Sequence, residues 1–412
     1  MTNHLFPKFI CRLVVLLLAL SAGPGFAEDQ ARLIRAARVF DGYALHENAA
    51  VLIRDGKIEK IGPSAVFADV DAEILDLGDA TLLPGFIDLH GHLSYQHVPA
   101  DTVLRHGVTT LRDVGGPLHQ PRGGDGGLRL MTSGPILTAP GGYPIPSLGE
   151  ADIALPVTDE AQARETVRQL IAGGAVVVKV ALEPGGEAGA PWSGGHAHAH
   201  DHDHARPAAT HEPAAAGWPL LSVGVVRAIV DEAHLHGRKV SAHLAEERGA
   251  QIALDAGVDE WAHTPCESLS DELLRQVAAR RVKIVSTMDT LSKCSGLTSN
   301  VRRMAALGVE FLYGAEIAHP DIPWGIDAQE LLLLQHLAGM EPLRILNTAT
   351  AKAGQYLGMP LLGTLLPGAP ADVIAVPGDA TQKLKLLEYP WLVISGGKVV
   401  VDLFSASQLR AI

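Results

Sequence analysis

Basic residues are scarce in this sequence. Its 412 residues include 33 Lys or Arg and 46 Asp or Glu, which gives a formal net charge of −13. Because binding to nucleic acid depends on basic surface patches, this charge argues against a nucleic-acid partner. Hydrophobic residues make up 47% of the chain, which is enough to bury a large core.

The sequence also lacks an apolar run that is long enough to span a bilayer. Lys8 and Arg12 precede the short apolar run 13–20, and Gly25-Phe26-Ala27 then supplies a small-x-small cleavage pattern. We therefore expect residues 1–27 to be a signal peptide, and the mature chain to be periplasmic or secreted without a membrane span. A retained membrane anchor or a buried N-terminal helix is the alternative.

Cysteine is rare as well, with three in the whole chain. None lies at the expected cleavage site, which argues against a lipoprotein. Removal of Cys11 with the signal peptide leaves Cys266 and Cys294. In an oxidising compartment these two could form a disulfide, and two buried thiols are the alternative.

Short β-strand signals lie at both ends of the chain. Arg54-Asp55-Gly56 separates two apolar runs and is a typical hairpin turn. Ser395-Gly396-Gly397-Lys398 separates two more near the other end. We expect residues 28–83 and 361–412 to form one small β-sandwich domain, with the middle of the chain inserted between them.

The middle of the chain alternates short apolar strands with amphipathic helices. The strand candidates are residues 86–90, 109–113, 176–182, 239–244, 258–263, 283–287 and 310–314. Repeated β-α units predict an α/β fold with a parallel sheet, and residues 84–360 have the length of a (β/α)8 TIM barrel. A doubly wound sheet is the competitor, but no Gly-rich fingerprint for a dinucleotide follows the first strand.

One low-complexity segment interrupts this alternation, over about residues 183–218. Its histidines alternate with Ala or Asp, at His196, His198, His200, His202 and His204. With no apolar face, this segment predicts a flexible loop at the C-terminal mouth of the barrel. Such a loop could collect zinc as an accessory metal site, or it is a tolerated insertion.

Histidines lie where the predicted barrel strands end. In His90-Gly91-His92 the two imidazoles are two residues apart, so they point to the same side of the strand and can reach one metal ion. His243 and His263 end two later strands. Since the C-terminal ends of barrel strands converge on one face, we expect these histidines to form a metal site there.

Lys179 lies inside the very apolar run 176–180. A buried ammonium is costly, and it has no lone pair to offer to a metal. A lysine that binds a metal here must lose its proton or be chemically modified. The alternative is an ion pair with a nearby carboxylate.

Three stretches of the sequence resemble the amidohydrolase superfamily, in particular its imidazolonepropionase-like and Xaa-Pro dipeptidase-like branches. They are residues 81–92 with the His-Gly-His motif, residues 107–113, and residues 363–372 with a Pro-Gly-x-x-Ala-Asp element. The resemblance extends over nearly all of residues 33–402.

The resemblance implies a binuclear zinc centre. His90 and His92 would bind the more buried ion, and His243 and His263 the second. Lys179 would be carboxylated, because a carbamate turns a cation into an anionic bridge between two metals. The nucleophile would be a metal-activated water, whose pKa falls from 15.7 towards about 7.

The family ends its last barrel strand with an Asp ligand in a Gly-Thr-Asp context, whereas this chain has Gly314-Ala315-Glu316. We expect Glu316 to be both the remaining ligand and the proton shuttle, with Asp321 as the alternative carboxylate. Tyr143 follows two glycines where relatives have a substrate loop. It is a candidate hydrogen-bonding partner of the substrate, or an ordinary loop residue.

The sequence therefore predicts an exported, metal-dependent amidohydrolase that cleaves a C–N bond in a small molecule, for example in a dipeptide, an N-acyl amino acid or a cyclic amide. A mononuclear deaminase-like hydrolase is one alternative, and a non-catalytic exported zinc-binding protein is the other. A homo-oligomer is compatible with the sequence.

Overall fold

The computed structural model describes residues 31–94, 96–192 and 217–410. The expected signal peptide and the histidines of the low-complexity segment, from His196 to His204, lie outside these described residues. Within the described ranges, no helix has both the length and the apolar character needed to cross a membrane.

The strands alternate with helices through the middle of the chain, as the sequence pattern predicts. The strands are β1 (Arg32–Phe40), β2 (Leu45–Arg54), β3 (Lys57–Pro63), β4 (Glu73–Asp76), β5 (Ala80–Pro84), β6 (Phe86–Gly91), β7 (Val108–Asp113), β8 (Arg129–Thr132), β9 (Ile136–Thr138), β10 (Ala154–Pro156), β11 (Val177–Ala181), β12 (Lys239–His243), β13 (Glu260–Trp261), β14 (Lys283–Val285), β15 (Glu310–Leu312), β16 (Val373–Pro377), β17 (Leu392–Ser395) and β18 (Lys398–Asp402).

The helices are mostly short. They are α1 (Ala100–Arg105), α2 (Ile145–Leu148), α3 (Glu160–Ala172), α4 (Val223–Leu235), α5 (Glu247–Ala256), α6 (Asp271–Arg280), α7 (Leu297–Ala306), α8 (Ala328–Ala338), α9 (Pro342–Thr348), α10 (Ala351–Tyr356) and α11 (Leu403–Arg410), with 3-10 turns at Ser64–Phe67 and Leu384–Glu388. In α4, Val226, Ile229 and Ala233 lie on one buried face, and Ser222 caps the first turn by accepting from the backbone N–H of Val225.

Strands from both ends of the chain form one mixed sheet. Its order is β18-β17-β16-β5-β1-β2-β3, and β4 also pairs with β1. β2 and β3 are antiparallel around Asp55-Gly56, where both residues have a positive φ, as a tight hairpin turn requires. β5 and β16 join the two ends of the chain through the register Leu83 opposite Ile374.

The parallel strands of the middle segment form two further sheets, β6-β7-β8 and β10-β9-β11-β12-β13-β14-β15. Backbone hydrogen bonds join these two sheets on both sides. Val176 N–H donates to the Thr132 carbonyl at 2.9 Å, and Leu89 N–H donates to the Tyr313 carbonyl at 3.3 Å. The C-terminal ends of β6, β11, β12, β13 and β15 thereby lie around a common centre.

Several strands end earlier than the sequence pattern predicts. β13 ends at Trp261 and β15 ends at Leu312, so His263 and Glu316 lie in the loops that follow these strands. The prediction of a strand through Thr287 is also wrong, because β14 ends at Val285. The reason is that Thr287 has a φ of 42°, which is outside the extended region that a strand needs.

A buried ion pair connects the two parallel sheets. Arg112 of β7 donates through Nη1 and Nη2 to the two carboxylate oxygens of Glu260 in β13, at 3.2 and 2.5 Å. Its Nε donates to the carbonyl of Leu89 in β6 at 2.7 Å. Both charged side chains are 1% exposed or less, so water cannot replace either partner.

We expect Arg112→Met to lower the stability of the protein by about 3–5 kcal/mol, because it leaves the Glu260 carboxylate buried without its cation. The midpoint of urea unfolding, followed by circular dichroism, measures the effect. Arg105→Met is the matched control, since the Arg105–Asp101 pair is exposed and should contribute little. Equal midpoints for the two variants would contradict the structural role of the buried pair.

Candidate metal centre

The two histidines of the His-Gly-His motif lie side by side, as the alternation of strand side chains predicts. His90 is fully buried, and its Nε2 lies 3.2 Å from Nε2 of His92. Asp88, two residues earlier on β6, accepts from the backbone N–H of His90 at 2.8 Å and from that of Ala315 at 3.3 Å. Asp88 thus holds the end of β6 against the loop that carries Glu316. Burial raises the pKa of Asp88 to about 8.

Glu316 lies at the centre of this group. Its Oε1 is 3.2 Å from Nε2 of His92 and 3.6 Å from Nε2 of His90, and its Oε2 is 3.2 Å from Nδ1 of His263. Burial alone would raise its pKa, but His90 and His263 outweigh burial and hold the pKa well below the usual range. The carboxylate is therefore ionised although only 9% of the residue is exposed.

The backbone at Glu316 is in the left-handed region, with a φ of 67°. This conformation costs a residue other than Gly on the order of 1 kcal/mol and persists only where neighbouring contacts enforce it. Here the Glu316 N–H donates to the carbonyl of His90 at 2.9 Å, and its carbonyl accepts from His319 N–H at 2.9 Å. The turn aims the carboxylate at the histidines.

His263 is held by a hydroxyl from the loop that follows β14. Its Nδ1 lies 2.9 Å from Oγ1 of Thr287, and both side chains are buried. Thr287 is itself in the left-handed region, which is rare for a β-branched residue. Its N–H donates to the carbonyl of Gly314 at 2.9 Å, so the hydroxyl has a defined position.

Lys179 and His243 lie on the neighbouring strands β11 and β12. Lys179 is 1% exposed, and burial lowers the pKa of its amine to about 7, although Glu316 and Glu260 oppose this shift. Burial, followed by the charge of Lys179, lowers the pKa of His243 as well. The His243 ring lies 4.6 Å from that of His263, centroid to centroid.

These residues fit a divalent metal ion. His90, His263 and Glu316 each offer a ligand atom, and the three atoms lie within 4.8 Å of one another. The 3.2 Å between the facing nitrogens of His90 and His92 is close to the spacing of about 3.3 Å in a tetrahedral zinc site. Burial lowers the pKa values of His90 and His263, which favours the neutral imidazoles that can bind a metal cation.

An aromatic wall lies beside His243, and we give this name to Tyr143, Trp192 and Trp218. The Tyr143 ring stacks on His243 with centroids 4.5 Å apart and on Trp218 at 5.3 Å. Trp192 meets His243 edge to face at 4.4 Å. Glu183, which follows β11, places its Oε2 3.6 Å from Nε2 of the same histidine.

The sequence analysis did not single out Asp88, Glu183 or Thr287. Glu183 and Thr287 are polar residues just beyond the C-terminal end of a strand, and Asp88 is a carboxylate two residues before His90 on β6. These positions are the signal that could have found them. Asp321, the alternative carboxylate, is exposed and is not part of the group formed by His90, His263 and Glu316.

Cys266 and Cys294 are joined in the structure. Cys266 and Cys294 have their sulfur atoms 2.07 Å apart and their Cα atoms 4.8 Å apart. Cys266 lies three residues beyond His263, and Cys294 follows β14. The disulfide therefore links two loops at the end of the sheet where the histidines lie.

Known proteins share this architecture. A model of the amidohydrolase family matches residues 81–400. Among curated proteins, ochratoxinase from Aspergillus niger is 28% identical over 200 residues, which cover 42% of this chain and 40% of that relative. The match therefore spans less than half the length of the curated relative.

Solved structures match over a much larger part of the chain. An Xaa-Pro dipeptidase with bound methionine has a TM-score of 0.71 at 21% identity, covering 90% of this chain and 99% of the dipeptidase. The A. niger ochratoxinase has a TM-score of 0.69 at 22% identity, covering 91% of this chain and 96% of the ochratoxinase. At these identities the likeness establishes the fold, which is a TIM-barrel-like α/β fold.

We expect Thr287→Val to weaken zinc binding by about 10- to 100-fold, because it removes the hydroxyl that orients His263 while preserving the shape of the side chain. Competition with a chromogenic chelator measures the affinity. Thr287→Ser keeps the hydroxyl and serves as the matched control, with an affinity close to that of the unchanged protein. If the valine variant binds zinc as tightly as the serine variant, Thr287 does not position His263.

Proposed function

The chain belongs to the amidohydrolase family, as its sequence resemblance predicts, and on this premise we propose that it is an exported, metal-dependent hydrolase that cleaves a carbon–nitrogen bond in a small molecule. The observation that carries this proposal is the position of the Glu316 carboxylate, which lies within 3.6 Å of nitrogens from His90, His92 and His263. Such a group of donors is suited to a divalent cation, and zinc is the ion that a set of imidazoles and one carboxylate favours.

We propose His90, His92, His243, His263 and Glu316 as the protein ligands, with a carboxylated Lys179 between two zinc ions. The neutral form of an amine is the form that reacts with carbon dioxide to give a carbamate. Lys179 is buried, and its burial favours this neutral form although Glu316 and Glu260 oppose it. Lys179 on β11 pairs with Ser241 of β12, two residues before His243, and this position supports a bridge between the two groups of histidines.

Zinc, when bound, lowers the pKa of a coordinated water and polarises a carbonyl group. The residues of the chain then move protons and orient the substrate. Glu316 is ionised, so it can take a proton from the attacking water and return it to the leaving nitrogen. Burial raises the pKa of Tyr143, which therefore keeps its hydroxyl proton and can donate it in a hydrogen bond to the substrate.

Glutamate in place of the family's aspartate lengthens the side chain by one methylene. The left-handed turn at Glu316 supports the view that the loop accommodates this extra length, since it brings the carboxylate to His92 at 3.2 Å. Displacement of a catalytic group by about 1 Å can still cost on the order of 100-fold in rate. We therefore infer a larger effect of this replacement on turnover than on metal binding.

We also propose that β6, β7, β8 and β11–β15 close into a (β/α)8 barrel, and that the mixed sheet from both chain ends forms a small β-sandwich domain. The hydrogen bonds from Val176 to Thr132 and from Leu89 to Tyr313 support closure of the barrel. An apolar cluster on the mixed sheet, which includes Val51, Leu82 and Ile394, supports a separate small core. The domain limits would be 28–83 with 361–412, and 84–360.

A mononuclear, deaminase-like hydrolase is a second candidate. The observation that favours it is the compact group of His90, His263 and Glu316, which is sufficient for one ion. A non-catalytic exported zinc-binding protein is a third, and it rests on the His-rich segment and on the replacement of the family's aspartate by Glu316. The metal content and the turnover of the protein separate the three.

Elemental analysis of the mature protein with residues 194–211 deleted gives the metal content of the centre without the accessory histidines. We expect about two zinc ions per chain, because a carboxylated Lys179 holds a pair of ions. About one would support the mononuclear candidate. Zinc content near zero would contradict the metal centre.

The accessory role of the loop is tested separately, by the zinc content of the deleted and the full-length protein at limiting zinc. Equal zinc contents would contradict that role.

Hydrolytic activity is the direct test of the proposed function. We expect release of the amine product from at least one of three panels, namely dipeptides, N-acyl amino acids and cyclic amides. His243→Ala should abolish this release, because it removes one ligand of the centre, whereas His234→Ala, on the exposed face of α4, should not. A zinc-loaded protein that hydrolyses none of the three panels would favour the non-catalytic candidate.

A further inference from the structure

Within the described residues, Glu183 has a buried carboxylate oxygen without a hydrogen-bonding partner. The residue is 1% exposed, and its Oε1 accepts from the backbone N–H of Gly185 at 2.8 Å. Its Oε2 has no hydrogen-bond partner in the described part of the chain. The nearest charged group is His243, whose Nε2 lies 3.6 Å away, which is too long for a hydrogen bond.

A buried carboxylate is costly unless a cation accompanies it. Among the described residues, Glu183 forms no ion pair with a lysine or arginine. A cationic group that entered the site would offset this unfavourable burial.

The aromatic wall lies directly beside this carboxylate. Tyr143 and Trp192 both contact the ring of His243, with centroids 4.5 and 4.4 Å away. Tyr143, Trp192 and Trp218 are each only partly buried. The faces of such rings attract a cation placed within about 6 Å.

Two further carboxylates follow the strands that carry this part of the site. Glu187 follows β11, and Glu246 follows β12 and caps the first turn of α5. Arg112, a cation of the interior, is already paired with Glu260. Together with Glu183, these carboxylates favour a positive group on the substrate.

We propose that Glu183, Tyr143 and Trp192 form a subsite for a cationic nitrogen of the substrate, such as the free amino group of a dipeptide or of an amino-acid amide. The inference rests on the proposed hydrolase function and narrows it, because an N-acyl amino acid lacks this cation. Glu183 is then a specificity-determining residue that contacts the substrate nitrogen and lies outside the proposed set of metal ligands.

Choline and 3,3-dimethylbutan-1-ol test the subsite without catalysis. They have the same shape and differ in charge, and the quaternary nitrogen of choline cannot coordinate zinc. We expect choline to bind roughly 10-fold more tightly to the zinc-loaded protein, measured by quenching of tryptophan fluorescence. Glu183→Gln should abolish this preference, whereas Glu150→Gln, which removes an exposed carboxylate, should preserve it.

Equal affinities of the unchanged protein for the two compounds would overturn the proposal, as would a preference that survives in Glu183→Gln. Thermal denaturation and zinc analysis establish that the Glu183→Gln variant is folded and loaded. If that variant fails to fold, Trp192→Leu takes its place, and it should reduce the preference for choline by several-fold.

Hydrolysis of a dipeptide and of its N-acetyl derivative separates the subsite from the enzyme function. We expect Glu183→Gln to lower kcat/KM at least 10-fold for the free dipeptide and less than 2-fold for the acetylated one. Equal losses of kcat/KM for both substrates would mean that Glu183 acts through His243. The subsite proposal would then be wrong, although the hydrolase function would be supported. A choline preference without hydrolysis of any substrate would support the subsite and contradict the hydrolase function.

Discussion

The buried pair of Arg112 and Glu260 is the interaction on which the arrangement of the centre depends. It crosses the interior between the two parallel sheets and also engages the carbonyl of Leu89, next to His90 in the chain. Transfer of two charges out of water is expensive, so such a pair adds little net stability compared with apolar packing. It does restrict the relative position of β6, β7 and β13, because any other spacing would leave one of the charges unpaired.

The cost of burying charge also determines the properties of the metal centre. Glu316 is a carboxylate of low pKa in a nearly dry environment, and burial lowers the pKa values of the His90 and His263 imidazoles around it. Lys179 has its pKa lowered to about 7 by burial, so it compensates the carboxylate only partly near neutral pH. A divalent cation at this centre would balance the carboxylate and favour neutral imidazole ligands.

The sequence predicted the parts of the site that follow the regular period of a strand. His90 and His92 face each other because strand side chains alternate, and the hairpin at Asp55-Gly56 follows from the turn preference of these residues. The resemblance also pointed to Glu316. The sequence could not give the left-handed backbone at Glu316 and Thr287, because nothing in a Glu or a Thr indicates a positive φ. The contact of Glu183 with His243 depends on loop geometry after β11, which no periodic pattern encodes.

The mixed sheet also has a consequence for the order in which the chain can fold. β5 ends at Pro84, and the strand that pairs with its second edge, β16, begins only at Val373. During synthesis the second edge of β5 therefore remains unpaired until nearly the whole chain has been made. An open strand edge invites pairing with other chains, and such distant pairing is slow to form. The last strands of this protein thus complete the first sheet, and a chain truncated before β16 would leave that edge uncovered.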